Sequence, residues 1–278
     1  MKKKKLNIGI QGIKGSYHHI VSKSYFEENF HLRECLSFDQ LIEEIIESKI
    51  DKGVMAIENS IAGSIIPNYA LLDQNELIIV GEVYFKIDHN LMALNSQKIE
   101  QINEVYSHPM ALLQCKSFFS QYPHIRLVES EDTADEARRI SENNFKGIAA
   151  IASLEAAKYY NLNVLNKSIQ TIKNNITRFV IIQKKSNKIN IDKIDKASLK
   201  FILDDKRGSL AAVLNAMSDC KLNLTKIQSL PVIEKPGKYA FFVDLVFDEI
   251  NDYLKAKKIL AIMASHFKVL GEYLNGLK

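Results

Sequence analysis

No run of about 18 apolar residues occurs in this 278-residue chain, so no membrane-spanning helix and no membrane partner are expected. Export is not expected either. Lys2–Lys5 is a basic start, but the Leu6–Ile13 stretch behind it is broken by Asn7, Gly9, Gln11 and Gly12 and cannot serve as an apolar signal core. Cysteine is scarce. Cys35, Cys115 and Cys220 are odd in number and far apart, which excludes both a disulfide framework and a cysteine metal motif. Free thiols in a reducing cytoplasm are the expectation. The seven histidines show no His-x-x-x-His or His-x-Glu spacing, so no metal site is expected. No Gly-x-Ser-x-Gly elbow and no phosphate-binding P-loop are present. The net charge of +4 is mild. No basic cluster with interleaved aromatics follows the first lysines, so nucleic acid is not an expected partner and Lys2–Lys5 is read as a solvated tail.

What the chain does contain is an ordinary globular balance, 46% hydrophobic and 25% charged. Its first ~183 residues alternate strand-like and helix-like segments, which predicts an α/β fold with mainly parallel sheets. Strands are expected at Leu6–Gln11, Gly53–Ile57, Asn103–Ser107, Ile125–Ser130, Gly147–Ala152 and Arg178–Gln183. Helices are expected from Ser16 to about Asn29 and over Pro109–Tyr122, Asp132–Asn144 and Leu154–Tyr160. Ile78–Leu94 is long, apolar and interrupted by charges, as a strand passing between two lobes would be. Arg178–Gln183 has no helix after it and suits a return to the first lobe. The expected first region is therefore 1–183, with one lobe at about 1–85 and 168–183 and the other at about 86–167. Residues 184–196 are polar and lysine-rich, the composition of an exposed linker. Residues 197–278 then follow a βαββαβ pattern, the ferredoxin-like order. In it Leu210, Val213, Leu214 and Met217 share a helix face.

The residues with chemical potential lie at the corners. Gly12-x-x-Gly15-Ser16-Tyr17 joins a strand to a helix, a place where free N–H groups and a helix dipole can meet an anion. Read alone, a plain turn is the better reading. Ser107-His108-Pro109 and Glu131-Asp132-Thr133-Ala134 are further corners of this kind, and simple capping accounts for each as well. Glu58-Asn59-Ser60 follows a strand, and Asn175-Ile176-Thr177-Arg178-Phe179 leads into one. His18 and His19 are neighbours whose side chains diverge on a helix. Cys115 falls on the apolar side of its helix and reads as core. The remaining set of hydroxyls, amides and one arginine suits a small polyanion bound without a cofactor.

Taken in order, these segments resemble prephenate dehydratase. The resemblance rests on Gly12-x-x-Gly15-Ser16-Tyr17, Glu58-Asn59-Ser60-x-x-Gly63, Ser107-His108-Pro109-x-Ala111-x-x-Gln114-Cys115, Asp132-Thr133-Ala134, Ala149–Ser153 with Ala156-Ala157, and Asn175-x-Thr177-Arg178-Phe179. The C-terminal region adds Gly208-Ser209-Leu210 and Asn223-Leu224-Thr225-Lys226-Ile227. The family implies a two-lobed, periplasmic-binding-protein-like catalytic domain with its site between the lobes. It also implies a C-terminal ACT domain that senses an amino acid and joins subunits into a homodimer or homotetramer.

The resemblance further implies prephenate as substrate, no cofactor, and Thr177 at the departing hydroxyl. Arg178 is implied as a carboxylate ligand, with Phe179, Asn175, Ser16, Tyr17, Asn59, Ser60, Ser107, Gln114 and Thr133 as substrate-binding residues. Gly208, Ser209, Leu210, Asn223 and Leu224 are implied as a phenylalanine site. The chain departs from the family pattern at Ser16, where threonine is usual, and at His18, where serine or threonine is common. It departs again at Gln228-Ser229-Leu230-Pro231, where Glu-Ser-Arg-Pro is typical, which predicts weakened feedback control. Two alternatives remain at this point, an arogenate dehydratase with the same motifs and a non-catalytic amino-acid sensor.

Overall fold

In the computed structural model the described residues are 5–27, 29–185, 194–232, 235 and 237–277. Residues 186–193 of the expected linker, and Lys2–Lys4 of the expected tail, lie outside them. The chain divides into two units. One comprises Met1–Asn68 and Val83–Phe179, the other Tyr69–Glu82 and Val180–Lys278.

The first unit is mixed α/β with two sheets. Its opening run is β1 (Leu6–Gln11), α1 (Tyr17–Phe26), β2 (Phe30–Cys35), α2 (Phe38–Ile46), β3 (Lys52–Asn59) and β4 (Gly63–Ser64). Strand β1 lies parallel to both β2 and β3, and β4 is antiparallel to β3. Helix α3 (Ile66–Gln74) and strand β5 (Leu77–Lys86) each run from one unit into the other. The second sheet uses β6 (Asn90–Ala93), β7 (Glu104–Ser107), β8 (Arg126–Glu129), β9 (Ile148–Ala152) and β10 (Asn163–Asn166), in the order β10-β6-β9-β7-β8. Helices α4 (Pro109–Phe119), α5 (Thr133–Asn143) and α6 (Leu154–Tyr159) connect it. The chain then returns through β11 (Ile176–Lys184), beside β3 in the first sheet.

Local chemistry explains the helix starts. Ser16 caps α1 by accepting from the His19 amide at 3.3 Å. Asp132 caps α5 by accepting from Ala134 and Asp135, each at 2.8 Å. His108 precedes Pro109 at the start of α4, and its Nδ1 accepts from the Met110 amide. Such bonds satisfy amides that a helix leaves open at its first turn. Strand β9, buried from Ala149 to Ala152, lies between β6 and β7 in the second sheet. It packs Ala149 and Ile151 into one apolar cluster, and Ala150 and Ala152 into another. That alternation is the period-two pattern of a strand covered on both faces.

The second unit holds β12 (Lys196–Ile202), α7 (Ser209–Asp219), β13 (Asn223–Pro231), β14 (Tyr239–Val246), α8 (Ile250–Met263) and β15 (His266–Tyr273). The sheet order is β13-β14-β12-β15, with antiparallel neighbours. Ala197, Leu199 and Phe201 of β12 bury against Val213 and Met217 of α7 and Tyr253 and Leu260 of α8. The alternate residues of β12 are polar and buried. Lys196 pairs with Glu82 at 2.8 Å, Ser198 bonds Asp244 and Tyr273, and Lys200 pairs with Asp73. Buried polar groups on a strand persist only when partnered in this way.

Candidate active site

The end of β3 and the start of β11 place Glu58, Asn59 and Ser60 beside Asn175, Ile176 and Thr177. The two segments are stitched by backbone and side chain. Ser60 N–H donates to the Ile176 carbonyl at 2.8 Å, and Ile176 N–H donates to the Ser60 hydroxyl at 2.9 Å. Asn59 is fixed more completely. Its Oδ1 accepts from the backbone N–H of Ile61 at 3.0 Å and of Ala62 at 2.9 Å. A backbone N–H can only donate, so the orientation of the Asn59 amide is settled. Its Nδ2 therefore donates to Asn175 Oδ1 at 2.7 Å and to Thr177 Oγ1 at 2.8 Å.

The same logic carries outward. Asn175 Oδ1 is the acceptor, so Asn175 Nδ2 donates to Gln114 Oε1 at 2.8 Å. Gln114 Oε1 is also 3.0 Å from His89 Nε2, and that nitrogen must carry a hydrogen. Beyond His89 stand Tyr17, whose hydroxyl donates to the Asp88 carbonyl at 2.7 Å, and Gln170, which accepts from the His89 amide at 2.9 Å. A single hydrogen-bonded chain thus joins Thr177, Asn59, Asn175, Gln114 and His89, and Tyr17 stands beside it on the Asp88 carbonyl. Asn175 is fully buried and Thr177 is 7% exposed. Thr177 Oγ1 accepts from Asn59, and its own hydrogen stays available for another acceptor.

Strand alternation turns Thr177 and Phe179 to one side of β11 and Arg178 to the other. Phe179 packs edge-on against His18 at 5.1 Å. Arg178 is buried, with Nη1 3.9 Å from a Glu58 oxygen and the guanidinium 6.0 Å from the Tyr84 ring. Burial lowers the pKa of His18 and of His89 to about 4 each, and lowers that of His108. Burial raises Asp132, although the two backbone bonds it accepts oppose this. The Cys115 thiol is buried in an apolar cluster and pushed up to about 12, the environment of an inert core cysteine.

The glycine corner is a turn whose donors are already used. Gly12, Lys14, Gly15 and Ser16 N–H groups go to Cys35 O, Glu34 Oε1, His19 Nδ1 and Ile13 O. A side chain at Gly12 would meet Asp132 Oδ2 at 2.8 Å, and one at Gly15 would meet the backbone of Ala156 at 2.9 Å. Both glycines also have positive φ, +93° and +88°, which disfavours other residues. Ser153 Oγ donates to the Gly15 carbonyl at 2.6 Å, and Tyr160 donates to the Lys14 carbonyl at 2.8 Å. The corner is where α6 seats.

Of the residues singled out by sequence, Asn59, Ser60, Gln114, Asn175 and Thr177 share one bonded assembly, and Tyr17 lies next to it on the Asp88 carbonyl. Ser107 does not join it. Its hydroxyl donates to the Ile151 carbonyl at 2.7 Å, and the residue is fully buried. Ser16 serves as the α1 cap, and Thr133 is the first residue of α5. His89, Asp88 and Gln170 were passed over by the sequence reading. The available signal was the polar Asp88-His89-Asn90 set inside the otherwise apolar Ile78–Leu94. In the second unit Gly208 has φ +84° at the start of α7, while Asn223 opens β13 after that helix. The 11 residues of α7 separate them by about 16 Å along the axis. Leu210 and Leu224 pack on the apolar core of the unit. Among the described residues no group of three or more His, Cys, Asp or Glu side chains is arranged to hold a metal, and no helix is long and apolar enough to cross a membrane.

Residues 8–187 match the family model described as prephenate dehydratase. The bifunctional chorismate mutase/prephenate dehydratase of Buchnera aphidicola subsp. Acyrthosiphon pisum is 30% identical over 275 residues, covering 96% of this chain and 70% of that protein. The arogenate dehydratase/prephenate dehydratase 2 of Arabidopsis thaliana is 33% identical over 281 residues, covering 97% and 73%. Among solved structures, prephenate dehydratase of Arthrobacter aurescens in complex with L-Phe superposes with a TM-score of 0.87 at 22% identity, covering 98% of this chain and 91% of that one. A family match over most of the chain, joined to near full-length likeness to these dehydratases, places this protein in the prephenate dehydratase family of lyases.

Proposed function

We propose that this chain converts prephenate to phenylpyruvate for phenylalanine synthesis, with Thr177 at the departing hydroxyl. The observation that carries the assignment of Thr177 is the forced direction of the Asn59–Thr177 bond. The reaction breaks two bonds. The bond from the ring to its carboxylate breaks and leaves its electron pair in the ring, releasing carbon dioxide. The carbon–oxygen bond across the ring breaks, and the oxygen leaves with its pair and takes a proton to become water. The aromatic ring that forms supplies the driving force, so no cofactor is required. A threonine hydroxyl is too weak an acid to transfer its proton outright. Donating a hydrogen bond to the oxygen as charge builds on it is the role the geometry favours. Ser60, Gln114, Asn175 and Phe179 shape the site around it. Ser16 and Thr133 stand at the starts of α1 and α5 and Tyr17 beside Asp88, Ser107 packs behind the site with its hydroxyl spent, and Arg178 binds a substrate carboxylate.

The same reading makes 1–183 a two-lobed catalytic domain of the periplasmic-binding type, 184–196 a linker and 197–278 an ACT domain. The βαββαβ order and the β13-β14-β12-β15 sheet support the last assignment. Phenylalanine is the proposed effector, in keeping with the L-Phe complex of the Arthrobacter aurescens protein. Gly208, Ser209 and Leu210 lie at the far end of α7 from Asn223 and Leu224. A site using both sets takes one from each of two copies, which fits a homodimer or homotetramer. Gln228 and Leu230 lie on β13. They lack the charges usual there, so phenylalanine is expected to bind but to inhibit more weakly than is usual for the family. The three free, buried cysteines suit the cytoplasm. The test is phenylpyruvate formation from prephenate with and without phenylalanine, with arogenate assayed in parallel. No turnover of either substrate would sink the proposal. Faster turnover of arogenate would move the chain to the arogenate dehydratase activity named for the Arabidopsis relative.

A further inference from the structure

The bonded chain has two anchors, and only one of them is local. At the Thr177 end the backbone amides of Ile61 and Ala62 hold Asn59. At the other end Gln114, on α4, would be held by Asn175 alone were it not for His89. A primary amide bonded on one side retains rotational freedom. The His89 Nε2–H fills the second lone pair of Gln114 Oε1 and removes that freedom. His89 is itself 5% exposed and clamped. Its amide donates to Gln170 Oε1, Gln170 Nε2 donates to Asp88 Oδ1 at 2.8 Å, and Tyr17 OH lies 3.4 Å from His89 Nδ1. The segment between β5 and β6 that carries His89 leads from the first sheet to the second. The clamp therefore ties Gln114 to the Thr177 side of the site.

From this geometry we infer that His89 is a positioning residue for the dehydration. It acts through Gln114 and Asn175 to hold the Asn59 amide and the Thr177 hydroxyl in their working directions. The inference rests on the proposed role of Thr177. His89 bonds groups of the protein and is given no part in proton transfer. The tautomer matters. Gln114 Oε1 can only accept, so its 3.0 Å contact with His89 is a hydrogen bond only when the histidine hydrogen is on Nε2. The depressed basicity of this buried ring is consistent with a neutral imidazole at work.

The experiment compares three substitutions in the full chain. Glutamine carries its amide nitrogen near the position of imidazole Nε2, whereas asparagine carries it near that of Nδ1. His89→Gln should stay within about three-fold of the unsubstituted kcat. His89→Asn and His89→Leu should lose about 10- to 100-fold, the scale set by small misplacements of a catalytic group. KM should change much less than kcat. In a Thr177→Ala background His89→Leu should cause no further loss, because its effect passes through that hydroxyl. Equal activity of the glutamine and asparagine variants would overturn the inference, as would a full additional loss in the Thr177→Ala background. The glutamine–asparagine comparison stands even where the leucine variant fails to fold. An unsubstituted enzyme that turned over no prephenate would defeat the underlying functional reading. An active enzyme indifferent to His89→Leu would defeat this inference alone.

Discussion

The Asn59 side-chain amide donates to the Thr177 hydroxyl at 2.8 Å across 118 positions of sequence. That bond decides what Thr177 can do. A hydroxyl has one hydrogen and two lone pairs. One lone pair is taken by Asn59, so the hydrogen can be aimed at a leaving oxygen without competition from the asparagine. The donor is set in place before charge develops, which is the condition under which such bonds lower a barrier.

Thr177→Ala should lose most of the turnover while KM changes little, because a donor aimed at a leaving group acts mainly in the transition state. A loss of about 2–4 kcal/mol in barrier is expected. Thr177→Ser should retain much of the rate. Near-normal kcat in the alanine variant would make the hydroxyl structural.

Asn59→Asp replaces the donating nitrogen with an accepting oxygen at constant shape. Thr177 would then donate to residue 59, and its hydrogen would be withdrawn from the substrate. Turnover should fall about 10²- to 10³-fold, comparable to removing a preorganised donor. The new charge should also raise KM for a dianion. Steady-state kinetics at pH 7 test this. A variant as active as the unsubstituted enzyme would show that the bond direction has no catalytic consequence.

Arg178→Lys keeps the positive charge and loses the planar fork, so affinity for prephenate should drop although the exchange looks mild. The structure makes this a sharp test, because Arg178 is buried near Glu58 and Tyr84. An unchanged KM, with lowered thermal stability, would assign the guanidinium to those protein groups.

Stability should depend on pH through two buried histidines. His18 and His89 titrate near 4 in the fold, against 6.5 for the free side chain. Above pH 6.5 both are neutral in either state, and their contribution is complete. Between 6.5 and 4 the unfolded chain takes up protons that the folded chain does not, so stability falls with pH. Below about 4 the folded state also protonates and this loss levels off. Two such groups give a slope of up to about 2.7 kcal/mol per pH unit. Urea unfolding at pH 7 and pH 5 measures it, and His18→Gln should flatten the curve. Equal stability at the two pH values would contradict the burial of both rings as neutral species.

Much of the architecture was legible because local rules govern it. The corners at Gly12–Ser16, His108–Pro109 and Asp132 carry their own caps and turn residues. The helical face of Leu210, Val213, Leu214 and Met217 packs on a core as its spacing predicts. Strands β2, β4 and β10 and helices α2 and α3 are not among the elements expected from sequence, and the expected single strand over Ile78–Leu94 is two, β5 and β6, in different sheets. Strand β2 alternates partly exposed residues at a sheet edge, so its polar content hides it. Helix α3 contains Pro67 and carries no clear apolar stripe. The expected first helix ends earlier than Asn29, because Glu27 adopts a left-handed conformation.

The candidate site divides the same way. Sequence alone determined which residue types stand at each strand end, because those are fixed by turn chemistry and by the motif order. Whether each one faces the chemistry was decided by tertiary structure. Ser107 and Thr177 looked alike as hydroxyls at strand ends, yet one is spent on the Ile151 carbonyl and the other keeps its hydrogen. Hydrogen-bond direction is a property of the whole chain of partners. That chain runs from Ile61 through Asn59, Asn175 and Gln114 to His89, with links spanning 116, 61 and 25 positions. No local pattern encodes it, because an amide's orientation is set by whichever donor lies opposite. Only the fold determines which residue that is.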